Sequence, residues 1–423
     1  MGRWEGLEIE SEGTGISRPL SEHVNLLGAM LGEAVRRRWG QAAFDRVERL
    51  RRLCKASGTG DDERGRERAA EIIAGSDREE IVTLLRAFTT FFHLVNQAEK
   101  QEIIRVNRER SRPGPRPESL EEVVGELRDA GMSLESVRDL LAKLDVQPTL
   151  TAHPTEARPP AVLKKQQAVG ELLLDLRRSG ATPVEEARLR DRIFDQIALL
   201  LTTDEIRAER PGVNDEVEQG LYFLLGSIWE AVPRLHDDLT RALEGAWGEA
   251  VEVPAFLRYR SWIGSDRDGN PKVTASVTRW TLAEQRRRVL TRYRQELEGL
   301  LEELSVSERQ VGMPRELRDS VRTDLEALPG AGALRSAHPH EPFRLKVAAM
   351  DARLRRLLAD DEGEAYDARA FVSDLRLIGR ALERVGLGEV ARHGHLSRVL
   401  VLARTFGFHL ATLDVRQHSA VHE

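Results

Sequence analysis

Apolar residues recur along most of this chain at spacings of three and four, the period of an amphipathic helix. Ile81, Leu84, Leu85, Phe88, Phe91, Phe92, Val95 and Ala98 read as one apolar helical face. A second helix is predicted to open at Thr182-Pro183-Val184-Glu185. Thr182 can cap it, Pro183 suits the first turn, and Glu185 can close a capping box. Leu189, Ile193, Ile197 and Leu200 continue that stripe. Further helices are predicted at about 19–38, 134–144, 214–244, 276–306, 343–359, 366–385 and 388–404. Loops are marked by Gly, Pro and small polar residues at Ala56–Asp62, Ser111–Pro117, Gly245–Pro254 and Leu328–Pro342.

Strand signals fall on three segments. The β-branched run Thr149-Leu150-Thr151-Ala152 stops abruptly on His153-Pro154-Thr155-Glu156. Leu257–Ile263 alternates and then breaks into Gly264-Ser265-Asp266-Arg267-Asp268-Gly269-Asn270-Pro271. Phe406–Leu413 runs into Asp414-Val415-Arg416-Gln417-His418-Ser419. Charged groups gathered just past strand ends are how an α/β barrel builds its active face. Three parallel strands cannot close such a barrel, which takes about eight. The fold class expected is therefore mainly α with a partial α/β barrel of the TIM type, the remaining strands lying outside this chain. The expected division is an N-terminal helical region over 1–145 and an incomplete barrel with helical insertions over 146–423.

Composition narrows the class of function. The 423 residues carry 64 basic and 70 acidic side chains, so no basic excess points to nucleic acid. Cys54 is the single cysteine, which rules out a disulfide framework within the chain and fits a reducing cytosol. No apolar run approaches the ~18 residues of a membrane span, and Met1–Glu5 opens no signal-peptide core. A cytoplasmic protein without membrane or nucleic-acid partners is expected.

Each candidate residue also has a plain structural reading. A lone His after an apolar run is usually bonded to a backbone carbonyl. Asp266-Arg267-Asp268 could be a solvated loop with an internal ion pair, worth ~1 kcal/mol or less. Gly269 and Asn270-Pro271 could be turn chemistry, and Arg416 could pair with Asp414 or a neighbouring helix. His418 and His422 lack a third metal ligand in sequence. The acidic loop is no EF-hand, because its twelfth position is Val277 instead of Glu. Singly, each plain reading wins; the joint occurrence shifts the odds.

Thr151–Glu156, Ser261–Pro271 and Leu413–Gln417 together resemble the phosphoenolpyruvate carboxylase family. Supporting similarity spans Arg86–Phe88, Asn96–Glu99, Thr203–Arg207 with Pro211, Asp215-Glu216 and Glu341–Arg344. The resemblance is to the N-terminal half of a chain roughly twice as long. It implies carboxylation of phosphoenolpyruvate by bicarbonate to oxaloacetate and phosphate with Mg²⁺ or Mn²⁺. The metal ligands and a glycine-rich catalytic loop belong to the other half, so no metal ligand is expected here. His153 matches the family's base for carboxyphosphate, and Arg416 an arginine at the substrate phosphate. Asp266, Arg267, Asp268, Gly269 and Asn270 are expected to organise the cleft.

The family is commonly a homotetramer, so a homo-oligomer is expected, and the chain alone is expected to be inactive. The alternative is a catalytically inactive fragment or subunit that binds and modulates a full-length homologue. A metal hydrolase using His153, Asp266 and Asp268 explains fewer residues. Three departures from the family pattern stand out: Pro159-Pro160 where arginines are usual, Ser265 for a glycine, and Leu201 for a tryptophan.

Overall fold

Helices form where apolar spacing coincides with a cap. The computed structural model describes residues 17–58, 63–151, 159–177, 180–204, 212–268, 270–359 and 365–421. Asp77 accepts from the Glu80 N–H at 2.8 Å and Glu80 accepts from the Asp77 N–H at 3.1 Å, closing a capping box ahead of Arg78–Arg110. Thr182 and Glu185 build the expected box ahead of Pro183–Leu201. The helix Pro160–Arg177 starts on the second of the two prolines. A first turn has no use for the missing N–H, so that departure from the family pattern is harmless to the helix.

The chain forms two compact units: Met1–Arg116 with Arg158–Ala208, and Pro117–Ala157 with Glu209–Glu423. The division expected from the sequence, at 145/146, follows chain order, whereas each of these units is built from two stretches of chain. Pro160–Arg177 and Pro183–Leu201 pack on Arg18–Trp39 and Arg78–Arg110. Their shared core holds Leu27, Met30, Leu94, Val169, Leu173 and Ile197. An amphipathic pattern says that a helix has a face to bury, not which helix will cover it. The apolar run from Ile81 to Ala98 is likewise not one face. Leu84, Ala87, Leu94 and Ala98 are buried, whereas Leu85 is 62% and Phe92 60% exposed.

In the second unit the core centres on Trp229, fully buried, with Tyr293 and Phe406 ring centroids at 5.3 and 5.1 Å. Its indole N–H donates to Glu296 at 2.8 Å. The helix expected over 214–244 is realised as Val213–Phe223, a π segment at Leu224–Ile228, and Trp229–Trp247 with Pro233 inside. Proline at that place removes an intrahelical donor. The helix expected over 388–404 is broken at Gly394 into Gly388–His393 and His395–Phe406, and a Cβ at Gly394 would stand 2.4 Å from the Val390 carbonyl oxygen. The loop expected at Leu328–Pro342 contains a short helix, Ala331–Ala337. Gln41–Gly58, Glu63–Ala74, Leu120–Asp129 and Arg315–Ala327 are helices that the sequence analysis did not single out. Among the described residues no helix is long and apolar enough to cross a membrane.

The three strand segments do pair, but briefly. β1 (Thr149–Leu150), β2 (Arg260–Ser261) and β3 (Thr412–Leu413) form a parallel sheet in the order β1-β2-β3. The strand expected from Phe406 starts only at Thr412. Phe406 still belongs to a helix, and Leu410 takes a left-handed backbone (φ 65°) that a strand does not pass through. The helix Ala275–Glu303 props this turn. The Tyr293 hydroxyl lies 2.9 Å from the Gly407 oxygen. The Gln285 amide nitrogen donates to His409 and Ala411 oxygens at 2.7 and 2.9 Å.

Candidate active site

Register builds this site. Thr149, Arg260 and Thr412 lie side by side, and so do Leu150, Ser261 and Leu413. The ladder is made by Arg260 N–H to Pro148 O at 2.9 Å, Trp262 N–H to Leu150 O at 2.9 Å and Asp414 N–H to Ser261 O at 3.0 Å. Because the strands are parallel, their carboxyl ends open on one edge of the sheet. Beyond that edge Asp266 and Arg416 pair once more, with the Arg267 N–H donating to the Arg416 oxygen at 2.9 Å.

Two of the expected site residues meet there. Arg416 Nη1 donates to Asp266 Oδ2 at 3.0 Å, and its Cζ sits 3.9 Å over the Trp262 ring. Among the described residues Asp266 is the only hydrogen-bond partner of this guanidinium, so its other N–H groups stay available to a ligand. A charged donor held between a carboxylate and an aromatic face is ordered before any ligand arrives. Arg416 therefore does not pair with Asp414, and the acidic loop has no internal pair between Asp266 and Arg267.

Asp414 belongs to Arg260, whose Nε lies 2.9 and 3.0 Å from its two oxygens and whose Nη2 bonds Oδ1. The Trp262 indole N–H adds a third donor at 3.3 Å. The Arg260 hydrogen bonds hold the Asp414 carboxyl below its ordinary range. Sequence reasoning missed Arg260 and Trp262 as site-forming residues. The available signal was an arginine two residues before a tryptophan at the end of an alternating strand segment.

The rest of the loop is shaped by short-range bonds. Asp266 Oδ1 accepts from the Asp268 N–H at 3.2 Å, and Asn270 Oδ1 from the Lys272 N–H at 3.1 Å. Asp268 is exposed, while Arg267 is half-buried with its Nε lacking a partner among the described residues. Ser265, fully buried, lies 2.9 Å by its Oγ from the Asp414 oxygen, tying β2 to β3 where a glycine would add nothing. Gly264 must bend here with φ 81°, and a Cβ on it would come within 2.3 Å of Thr281 Oγ1. His153 and Gly269 lie outside the described residues.

Asp414 and Asp266 are each engaged by a guanidinium, so this edge does not fit a divalent cation. Among the described residues no group of three or more His, Cys, Asp or Glu converges as a metal site would.

The chain is mainly helical and presents an arginine at the carboxyl edge of a short parallel sheet. The family model described as "Phosphoenolpyruvate carboxylase" matches residues 20–423, and the chain belongs to that family. It is 53% identical to the phosphoenolpyruvate carboxylase of Rhodothermus marinus, over 99% of this chain and 46% of that relative. The Thermus thermophilus enzyme is 38% identical over 95% of this chain and 43% of its own length. The Rhodopseudomonas palustris (strain HaA2) enzyme is 38% identical over 96% and 44%. The chain spans about half the length of these curated relatives.

Proposed function

We propose that this chain supplies the N-terminal half of a phosphoenolpyruvate carboxylase, which converts phosphoenolpyruvate and bicarbonate to oxaloacetate and phosphate. The observation that carries the reading is the meeting of Arg416, Asp266 and Trp262 at the carboxyl edge of three parallel strands. On this reading the strands are part of an α/β barrel whose other strands come from the complementary half.

The chemistry asks for two things from this chain. Bicarbonate oxygen attacks phosphorus, the bond from phosphorus to the enol oxygen breaks, and carboxyphosphate and an enolate result. A planar guanidinium at Arg416 can donate two hydrogen bonds to the phosphate oxygens as that charge shifts. A base then takes the carboxyphosphate proton, so that carbon dioxide and phosphate separate beside the enolate. His153, three residues beyond Leu150 in sequence, is assigned that task, for which an imidazole pKa near ~6.5 is suited. Asp266 to Asn270 organise the cleft around Arg416. The divalent cation is assigned to the complementary half, and no step on this chain runs through it.

Co-expression with the C-terminal half of the Rhodothermus marinus relative tests this. Oxaloacetate formation is expected from the pair, none from this chain alone, and none from the pair carrying His153→Ala. Robust turnover by the isolated chain, or by the His153→Ala pair, overturns the assignment.

A further inference from the structure

The helix Arg78–Arg110 keeps apolar side chains on two opposite faces. One face, with Leu84, Ala87, Leu94 and Ala98, is buried in the core of the first unit. The other leaves Ile81, Leu85, Phe92 and Ile103 exposed, Leu85, Phe92 and Ile103 each by 60% or more. These four positions are separated by 4, 7 and 11 residues, all close to whole helical turns, so they form a straight line. At 1.5 Å per residue the line runs about 33 Å. Val82 and Ile104 flank it, and no other helix among the described residues carries more than two exposed large apolar side chains. A row of exposed apolar side chains of this kind marks an interaction site.

The line itself says what can cover it. Asn96 and Glu99 are exposed and lie on it, between Phe92 and Ile103. A second copy pairing antiparallel across a two-fold axis at Phe92 would set Ile81 against Ile103, but also Leu85 against Glu99. Self-pairing thus buries a carboxylate on a leucine, which is costly without a partner. A different chain can place a donor opposite Glu99 and apolar groups elsewhere. The Rhodothermus marinus relative, of which this chain covers 46%, carries more than half of its residues outside the matched part.

We infer that the stripe Ile81–Leu85–Phe92–Ile103 is the docking surface for the complementary half of the carboxylase, which faces Glu99 with a cationic or amide side chain. The inference rests on the proposed function and adds where the halves join.

The test uses this chain and the untagged C-terminal half of the Rhodothermus marinus relative, with binding measured by interferometry. Leu85→Glu with Phe92→Glu is expected to weaken binding by at least about tenfold, because each adds a carboxylate to an apolar contact. The melting curve of the isolated variant should match the wild type, since both side chains face solvent. Undiminished binding of the double variant overturns the inference and leaves the proposed function standing. A dimer of the isolated chain in sedimentation equilibrium that the double variant dissolves also overturns it, by assigning the stripe to a second copy. Failure of the wild-type chain to bind removes the complementation reading itself, and the inference with it.

Discussion

The Arg416 guanidinium lies 3.9 Å over the Trp262 ring and 3.0 Å from Asp266, so one side chain is held by an aromatic face and a carboxylate at once. In the complemented enzyme, Trp262→Leu is expected to raise KM for phosphoenolpyruvate about tenfold, the worth of a partly desolvated cation–π contact. Trp262→Phe keeps a ring under the cation and is expected to recover most of it. Steady-state kinetics at fixed bicarbonate checks both. Equal KM values for the leucine and wild-type enzymes would remove Trp262 from the site.

Gly264 turns the chain out of β2 in a conformation that costs other residues about 1–2 kcal/mol. A methyl group there also collides with Thr281. Gly264→Ala is therefore expected to lower the melting temperature of the isolated chain by several degrees. Adding Thr281→Ala should restore only the part due to the collision. Scanning calorimetry of the three chains separates the two contributions.

Glu296 is buried and takes hydrogen bonds from Trp229 at 2.8 Å and Arg398 at 3.0 Å, with His395 at 3.2 Å. Burial alone would raise its pKa, but the bonds from His395, Arg398 and Trp229 outweigh it and hold the carboxyl well below its usual range. Glu296→Ala leaves the buried Trp229 indole N–H without its acceptor and Arg398 with Glu230 alone, at 2.9 Å, and is expected to cost about 1–3 kcal/mol. Urea denaturation should give a lower midpoint. A midpoint within error of wild type would show the network to be solvent-screened.

His236 is buried against Phe256, ring centroids 4.7 Å apart, and its Nε2 has no partner among the described residues. Burial, then the charge of Arg404, pushes its pKa from 6.5 down to about 4. Unfolding lets this imidazole take up a proton, so its contribution to stability is present above pH 6.5 and is lost as pH falls toward about 4. His236→Leu is expected to flatten the dependence of stability on pH across that window. His395 acts in the other direction: its bond to Glu296 raises its pKa, so its contribution is full below pH 6.5 and fades as pH rises through the raised value. Melting temperatures between pH 4 and pH 7.5 for wild type and His236→Leu check the assignment.

Much of this was legible in the sequence because its causes are local. A helix declares itself through spacing and caps, as at Thr182 and Glu185. The three strand segments showed as one β-branched run, one alternating run and one largely apolar run, each breaking into charged residues. Where the reading failed, a distant partner was responsible. Phe406 looked like strand residue until Trp229 claimed it for a helix packed in the core. The stripe from Ile81 to Ala98 looked like one face until the neighbouring helices covered only half of it. The site shows the same limit, since Arg416 had Asp414 two residues away in sequence and is paired with Asp266 instead.

By itself the sequence determined the helical character, the three strand positions and, through its motifs, the family. Those properties are written in runs of fewer than about 20 residues, within which the chain interacts with itself. Only the tertiary structure decided that Arg416 meets Asp266, 150 positions away, and that Asp414 goes to Arg260, 154 positions away. The parallel register of β1, β2 and β3 makes those pairings. It is made by backbone hydrogen bonds between strands far apart in sequence, and no local spacing encodes it.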